Sequence, residues 1–303
     1  MISRHKYKKL VWIDIESPTK DEIDEISREF KIPQIIEEEV INKTIRSKVD
    51  LYDNLIYLIL HFPCSHTKED SGDQEIDFII GKDFLITVHY EFVNTLHEFE
   101  KKFEINSMLN KDNIGSHAGF LFFHIIKDLY RHLSYKLDDI NNSLREIEVK
   151  IFEEKEREMV QAISNVNRKL LDFKQAIRFH FEILKSFEAT AKRFFGEEFS
   201  YYLVIMIGEF NKVHNAVESH KEILNDLRDT NDSLLTSKTN RIIRTLTMLT
   251  FIPITISLIP LVFGMDVSVP FTQNPNAFEI ILAIMIISVL IIMLIFKSKK
   301  WLR

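Results

Sequence analysis

Apolar and polar positions follow three different rhythms along this chain. Up to about residue 88 the runs are short. Leu10 to Ile15 reads as a strand, and Ser17-Pro18-Thr19 turns into a helix reaching about Phe30, with Ile23, Ile26 and Phe30 at helical spacing. Thr19 followed by Glu22 is a capping box for that helix. Pro33 opens a short helix containing Ile35, Ile36 and Val40. Val49–Tyr52 and Leu55–Phe62 around Asp53-Asn54 predict one hairpin, and Ile76–Ile80 and Phe84–Val88 around Gly81-Lys82-Asp83 a second. Residues 64–75 between the hairpins form a polar loop. A mixed or mostly antiparallel sheet is expected.

From about Ser116 the strand signals vanish. Beyond Gly119 only Gly196 and Gly208 interrupt the chain up to Phe263, and no proline precedes Pro253 in that stretch. Helices are expected from about Ala118 to Glu154, from Glu156 to Arg193, and, after a break at Gly196, from Phe199 to Phe263. The last would be about 100 Å long, which a compact monomer has no means of burying, so it should pack against copies of itself. Along it, Asn240, Ile243, Thr247, Thr250, Ile254, Ser257, Leu261 and Gly264 recur at steps of three and four. Hydroxyls alternate with aliphatics in this stripe. Two readings stay open: hydroxyls bonded back to helix carbonyls or packed on a neighbouring helix, or a wet pore face with apolar rings as gates at Ile243, Leu246 and Ile254. Pro253 and Pro260 interrupt the hydrogen-bond ladder and allow a kink.

The third rhythm is almost wholly apolar. Thr245–Phe263 has 19 residues without a charge, and Phe278–Phe296 has 19 with only Glu279 at its edge. As helices each is roughly 28 Å long, close to the ~30 Å hydrocarbon core of a bilayer. Arg241 and Arg244 precede the first span, and Lys297, Lys299, Lys300 and Arg303 follow the second. The loop of residues 264–277 holds neither Lys nor Arg. The positive-inside bias places both flanks and both termini in the cytosol and the loop outside, at an inner or plasma membrane. Trp301 and Phe271 are candidate interfacial anchors.

The expected organisation is an α/β region (1–115), a helical hairpin (116–198), a stalk helix continuing into the first span (199–263), an outer loop (264–277), the second span (278–296) and a basic tail (297–303).

Charge sharpens this division. After Asn240 six basic residues face two acidic ones, leaving 33 basic against 43 acidic before it. An acidic body on a basic membrane collar lacks the basic face of a nucleic-acid binder and suits a body that meets cations. Cys64 is the only cysteine, which excludes a disulfide framework or a Cys-based metal cluster. The N-terminus runs from basic residues into Val11-Trp12-Ile13-Asp14 with no apolar stretch of signal length. His61, His66, His89 and His97 lack metalloprotease spacing and read as structural or surface residues. No glycine-rich phosphate loop and no nucleophile–base constellation is present, so enzyme activity is not expected. Acidic residues near the start of the stalk (Glu197, Glu198, Glu209) and near the loop (Asp70, Asp73, Glu75, Asp77) read as solvated faces, the first three also as speculative cation ligands.

Taken together the motifs resemble the CorA family of divalent-cation channels over nearly the whole chain. Trp12-Ile13-Asp14, Ser17-Pro18-Thr19 and Glu22-Ile23 look like its opening, and Phe84-Leu85-Ile86-Thr87-Val88-His89 like its late strand. Arg241–Phe263 looks like its first span, and Phe296–Leu302 like its closing tail. Gly264-Met265-Asp266 stands where the family's Gly-Met-Asn belongs, the most specific of these matches. The resemblance implies a homopentamer with a funnel-shaped cytosolic αβα domain, long stalk helices around one central pore, passive influx of hydrated Mg²⁺, and gating by Mg²⁺ bound between cytosolic domains. No organic cofactor is implied. Asp266 in place of Asn leaves ion choice open between Mg²⁺ and Co²⁺, Ni²⁺ or Zn²⁺. A non-conducting oligomeric scaffold or sensor is the alternative of a different class.

Overall fold

The computed structural model describes residues 1–63, 73–108, 115–263 and 276–298. Its contacts divide the chain into two units, Met1–Arg228 and Asp229–Arg303.

The first unit is built on six strands: β1 (Ile2–Tyr7), β2 (Leu10–Glu16), β3 (Lys48–Leu51), β4 (Ile56–Pro63), β5 (Asp73–Ile80) and β6 (Phe84–His89). Their order is β1-β2-β6-β5-β4-β3. Only β2 and β6 pair in parallel; the other pairs are antiparallel. The mixed sheet and both hairpins are as expected. Period-two alternation sends Ile13, Ile15, Tyr57, Ile59, Ile79, Ile86 and Val88 to one face. There they pack on α1 (Lys20–Phe30) and α2 (Gln34–Val40) through Ile23, Ile26, Ile36 and Val40. The other face carries Trp12, Phe62 and Phe78, whose rings meet Phe99 of α3 (Asn94–Met108), Tyr130 and Phe122 of α4 (Ala118–Phe152), and His180. Helices on both faces explain why every residue of β4 is buried and why it reads as a continuous apolar run. Each large side chain fully buried in this way stabilises the fold by roughly 1.5–3 kcal/mol.

Local chemistry agrees with the pattern where α1 begins. The Thr19 amide donates to Glu22 Oε2 at 2.9 Å and the Glu22 amide to Thr19 Oγ1 at 3.4 Å, the reciprocal capping box. Three elements depart from expectation. β1 lies within the basic N-terminal stretch: only His5 and Tyr7 turn fully inward, and its charged residues face out along a sheet edge. α3 is absent from the expected elements, although Leu96, Phe99 and Phe103 are buried at helical steps. Asp73–Glu75, expected in the polar loop, form the start of β5.

The anticipated second long helix is two: α5 (Glu156–Ala176) and α6 (His180–Phe195). Phe173, Ile177, His180, Leu184, Phe187 and Ala191 keep steps of three and four straight through the break, so periodicity carries no trace of it. At the break His180 is fully buried between two partners. Its Nε2 lies 2.8 Å from the His61 carbonyl, which only accepts, so Nε2 carries the proton. Nδ1 then accepts from the Tyr130 hydroxyl at 2.8 Å. Burial holds this ring neutral and pushes its pKa down to about 3. After a short 3₁₀ turn (Glu197–Phe199), α7 runs from Ser200 to Phe263, and α8 spans Ala277–Ser298. Within the first unit α7 buries Leu203, Met206, Phe210, Val213 and Val217, a seam like that of α4 (Leu133, Leu137, Ile140, Leu144).

Candidate functional site

The second unit contains the end of α7 and the whole of α8. The helix continues unbroken through Pro253 and Pro260. At about 100° per residue, Asn240, Ile243, Leu246, Thr250, Ile254 and Ser257 fall within a roughly 120° arc of α7. All six are exposed. Met248, Ile252, Thr255 and Ile259 are half-buried and occupy the opposite side of the helix. On α8 the half-buried row is Ile281, Met285, Ser288, Ile292 and Phe296, and Phe296 meets Phe251 edge-on at 6.4 Å. Thr247, at the edge of the stripe, is half-buried, and the intramolecular helix pair leaves the rest of the Asn240–Ser257 stripe uncovered. Several of the hydroxyls bond back within their own helix. Thr247 Oγ1 donates to the Ile243 carbonyl at 2.8 Å, Thr250 to the Leu246 and Thr247 carbonyls at 3.0 and 2.9 Å, and Thr255 to the Phe251 carbonyl at 2.9 Å. Gly264, Met265 and Asp266 lie outside the described residues.

Ile243 is 55% exposed, Leu246 56% and Leu294 64%. Two helices of this length with such faces present far more contiguous apolar surface than water tolerates. Hydrocarbon is the solvent that accepts it: α8, 22 residues long, is about 33 Å from end to end.

The proposed acidic cation ligands stand apart in the single chain. Glu197 accepts from Ser200 Oγ at 3.2 Å, and Glu209 is paired with Lys212 at 2.9 Å on its own helix. Glu198 lies in the 3₁₀ turn and is exposed. Among the described residues, the one set of three His, Cys or carboxylate ligands whose atoms lie within 4.8 Å of one another is His5, Glu100 and Glu104. No sequence motif marked it, because its members come from the two elements the pattern did not reveal.

The motif residues of the chain's opening and late strand meet across the parallel β2·β6 pair. Trp12 Nε1 donates to Thr87 Oγ1 at 3.0 Å, Thr87 Oγ1 donates to Asp14, and His89 Nε2 lies 3.1 Å from Asp14 Oδ2. Burial opposes charge on His89, yet its hydrogen bond to Asp14 raises the pKa on balance. These residues clasp the central strands.

Glu75 and Asp77 correct an expectation. Instead of a solvated face they are buried on the α1/α2 side of the sheet. Glu75 accepts from the Thr44 amide at 2.6 Å, and Asp77 accepts from the Tyr57 hydroxyl at 3.1 Å. Burial, and then the neighbouring Glu75, hold the Asp77 carboxyl well above its ordinary range. The folded chain thus keeps a proton that the unfolded chain releases above pH ~4. Stability from this pair is greatest in acid and declines as pH rises from that value through the raised one. Asp77→Asn keeps an acceptor for Tyr57 and removes the ionisation. Thermal unfolding of the detergent-solubilised chain between pH 5 and 8 is expected to show a higher Tm for the variant at pH 8 and a flatter pH profile. A lower Tm with an unchanged profile contradicts the buried-proton account.

A water-facing α/β sandwich whose long helix enters an apolar two-span unit defines an integral membrane protein. The chain belongs to the family described as "CorA-like Mg2+ transporter protein", whose pattern it matches over residues 7–299. It is 25% identical over 312 residues to the cobalt/magnesium transport protein CorA of Methanocaldococcus jannaschii, covering 99% of this chain and 93% of that one. It is 21% identical over 294 residues to the protein of the same name from Thermotoga maritima, covering 96% and 83%. The complete structure of the M. jannaschii CorA magnesium transporter shares the fold, with a TM-score of 0.82 at 21% identity, over 98% of this chain and 93% of that one.

Proposed function

We propose that this chain is a passive channel for divalent metal cations, Mg²⁺ foremost, assembled as a homopentamer with both termini in the cytosol. The observation that carries the reading is the stripe from Asn240 to Ser257: polar and aliphatic by turns, and left open on the side of α7 opposite its half-buried row. Copies of α7 arranged around an axis turn that stripe inward, hydroxyls alternating with apolar rings. The family and the names of its relatives, which include cobalt as well as magnesium, support divalent cations as the cargo. The basic flanks at Arg241, Arg244 and the tail support the orientation, and Gly264-Met265-Asp266 then forms the outer, ion-selecting mouth. Mg²⁺ dehydrates reluctantly, so a ring of oxygens that meets the ion through its water shell suits it. Ile243, Leu246 and Ile254 serve as dewetting constrictions. Glu197, Glu198 and Glu209 remain proposed regulatory ligands, which need completion by a neighbouring copy, since the single chain does not gather them.

Proteoliposomes loaded with a Mg²⁺-sensitive dye test the reading. An inward Mg²⁺ flux down its gradient is expected, and mass measurement in detergent is expected to return five copies. Absence of flux for any divalent ion, at every internal Mg²⁺ level and with the oligomer intact, favours the scaffold alternative. The hydroxyls bonded back within α7 are the observation on that side.

A further inference from the structure

We propose that His5, Glu100 and Glu104 form a binding site for one transition-metal ion of the Zn²⁺, Co²⁺ or Ni²⁺ class, fastening the edge strand β1 to α3. The site lies wholly in the water-soluble unit and does not depend on the chain conducting ions.

Glu100 and Glu104 are four residues apart on α3 and so project from one face of it. His5 approaches from β1. Its Nε2 lies 3.0 Å from Glu100 Oε1, and its Nδ1 3.6 Å from Glu104 Oε1. The His5 ring is only 9% exposed, and Nε2 is buried without a hydrogen bond although Glu100 Oε1 lies 3.0 Å away. In the tautomer that places the proton on Nδ1, this nitrogen offers its lone pair to a third atom. The ring is also held in place, at 5.2 Å from Trp12 and 6.1 Å from the edge of Phe103. His97 Nδ1 contacts the second Glu100 oxygen at 3.1 Å, the outer-shell contact that orients a ligating carboxylate.

Ligands at about 2.0–2.1 Å from a tetrahedral ion lie roughly 3.3 Å apart, close to the His5–Glu100 separation. The two carboxylates contact different ring nitrogens, and one ion takes only one of them; with Nε2 as the ligand, the half-exposed Glu104 swings its carboxylate over from the Nδ1 side, and water fills the remaining position. The donor set decides the ion. Imidazole with two carboxylates suits Zn²⁺, Co²⁺ or Ni²⁺, whereas Mg²⁺ takes oxygen ligands and keeps most of its waters. The site thus distinguishes transition metals from Mg²⁺, a distinction the carboxylates of the pore mouth make less sharply.

Trp12 is the reporter. In full-length protein carrying Trp301→Phe, in detergent with millimolar Mg²⁺ to occupy oxygen-only sites, Co²⁺ is titrated while tryptophan fluorescence and the Co²⁺ absorption spectrum are followed. Saturable quenching at one ion per chain, reversed by Zn²⁺, is expected. His5→Gln and Glu104→Gln are each expected to weaken it by about tenfold or more. Glu104 is exposed, so E104Q leaves the packing intact and decides the matter if H5Q does not fold. Quenching that fails to saturate, that is relieved by raising Mg²⁺, or that persists unchanged in E104Q overturns the site and leaves His5 as an ion-pair partner only. Mg²⁺ flux is scored separately, so a conducting channel without this site and a site on a non-conducting protein give different results.

Discussion

Serine at Ile243 or Leu246 is expected to raise the resting divalent leak of reconstituted protein by about tenfold, a change that needs only ~1.4 kcal/mol off the barrier. The reason is hydration. Both side chains lie on the uncovered face of α7, 55% and 56% exposed in the single chain, with no intramolecular partner element beyond them among the described residues of their unit. In a ring of copies their methyl groups surround a passage too apolar to hold water when it narrows, and an ion that retains its hydration shell cannot pass a dry segment. A hydroxyl at either position supplies a donor and an acceptor, keeps water in the constriction and lowers the barrier. Serine is tolerated there because each substitution faces outward from the helix pair and opens no cavity against α8. Flux is measured in vesicles with the oligomer verified by mass. Unchanged leak in both Ile243→Ser and Leu246→Ser removes these residues from the gate.

Asp266→Ala is expected to lower uptake of every divalent ion, while Asp266→Asn keeps Mg²⁺ flux. If copies of Asp266 ring an outer mouth as proposed, their carboxylates raise the local cation concentration, an effect that salt screens where the mouth faces water. A carboxylate also displaces water from a transition metal more readily than an amide does. Asn should therefore reduce both the salt sensitivity of uptake and any inward Co²⁺ or Ni²⁺ flux, and Ala removes charge and acceptor together. An Ala variant that transports like the parent for every ion makes Asp266 a loop residue and moves the filter inward, to Thr250 or Ser257.

The two halves of the chain differ in how openly their sequence speaks. The spans and the stripe of α7 are legible because a bilayer imposes a length and a polarity on every residue that crosses it, so composition and spacing carry the constraint directly. The capping box at Thr19 and the hairpins of β3–β4 and β5–β6 are legible for a similar reason, since their hydrogen bonds join near neighbours. β1 was hidden because an edge strand presents charge to solvent and only His5 and Tyr7 turn fully inward. The α5–α6 break was hidden because the apolar period crosses it unchanged, and the groups that bond His180, the Tyr130 hydroxyl and the His61 carbonyl, lie 50 and 119 residues away.

By itself, then, the sequence determined the division into an α/β body, long helices and two apolar spans, together with the face of α7 on which polar and apolar groups alternate. These properties arise from contacts between near neighbours and from the solvent each segment meets. Only the tertiary structure decided that Glu75 and Asp77 are buried instead of solvated, that Trp12, Asp14, Thr87 and His89 are a clasp between central strands, and that His5 meets Glu100 and Glu104. Each of those depends on which strand lies beside which, and on which helix covers them. Such pairings are selected by the free energy of the whole packed core, and no local pattern records them.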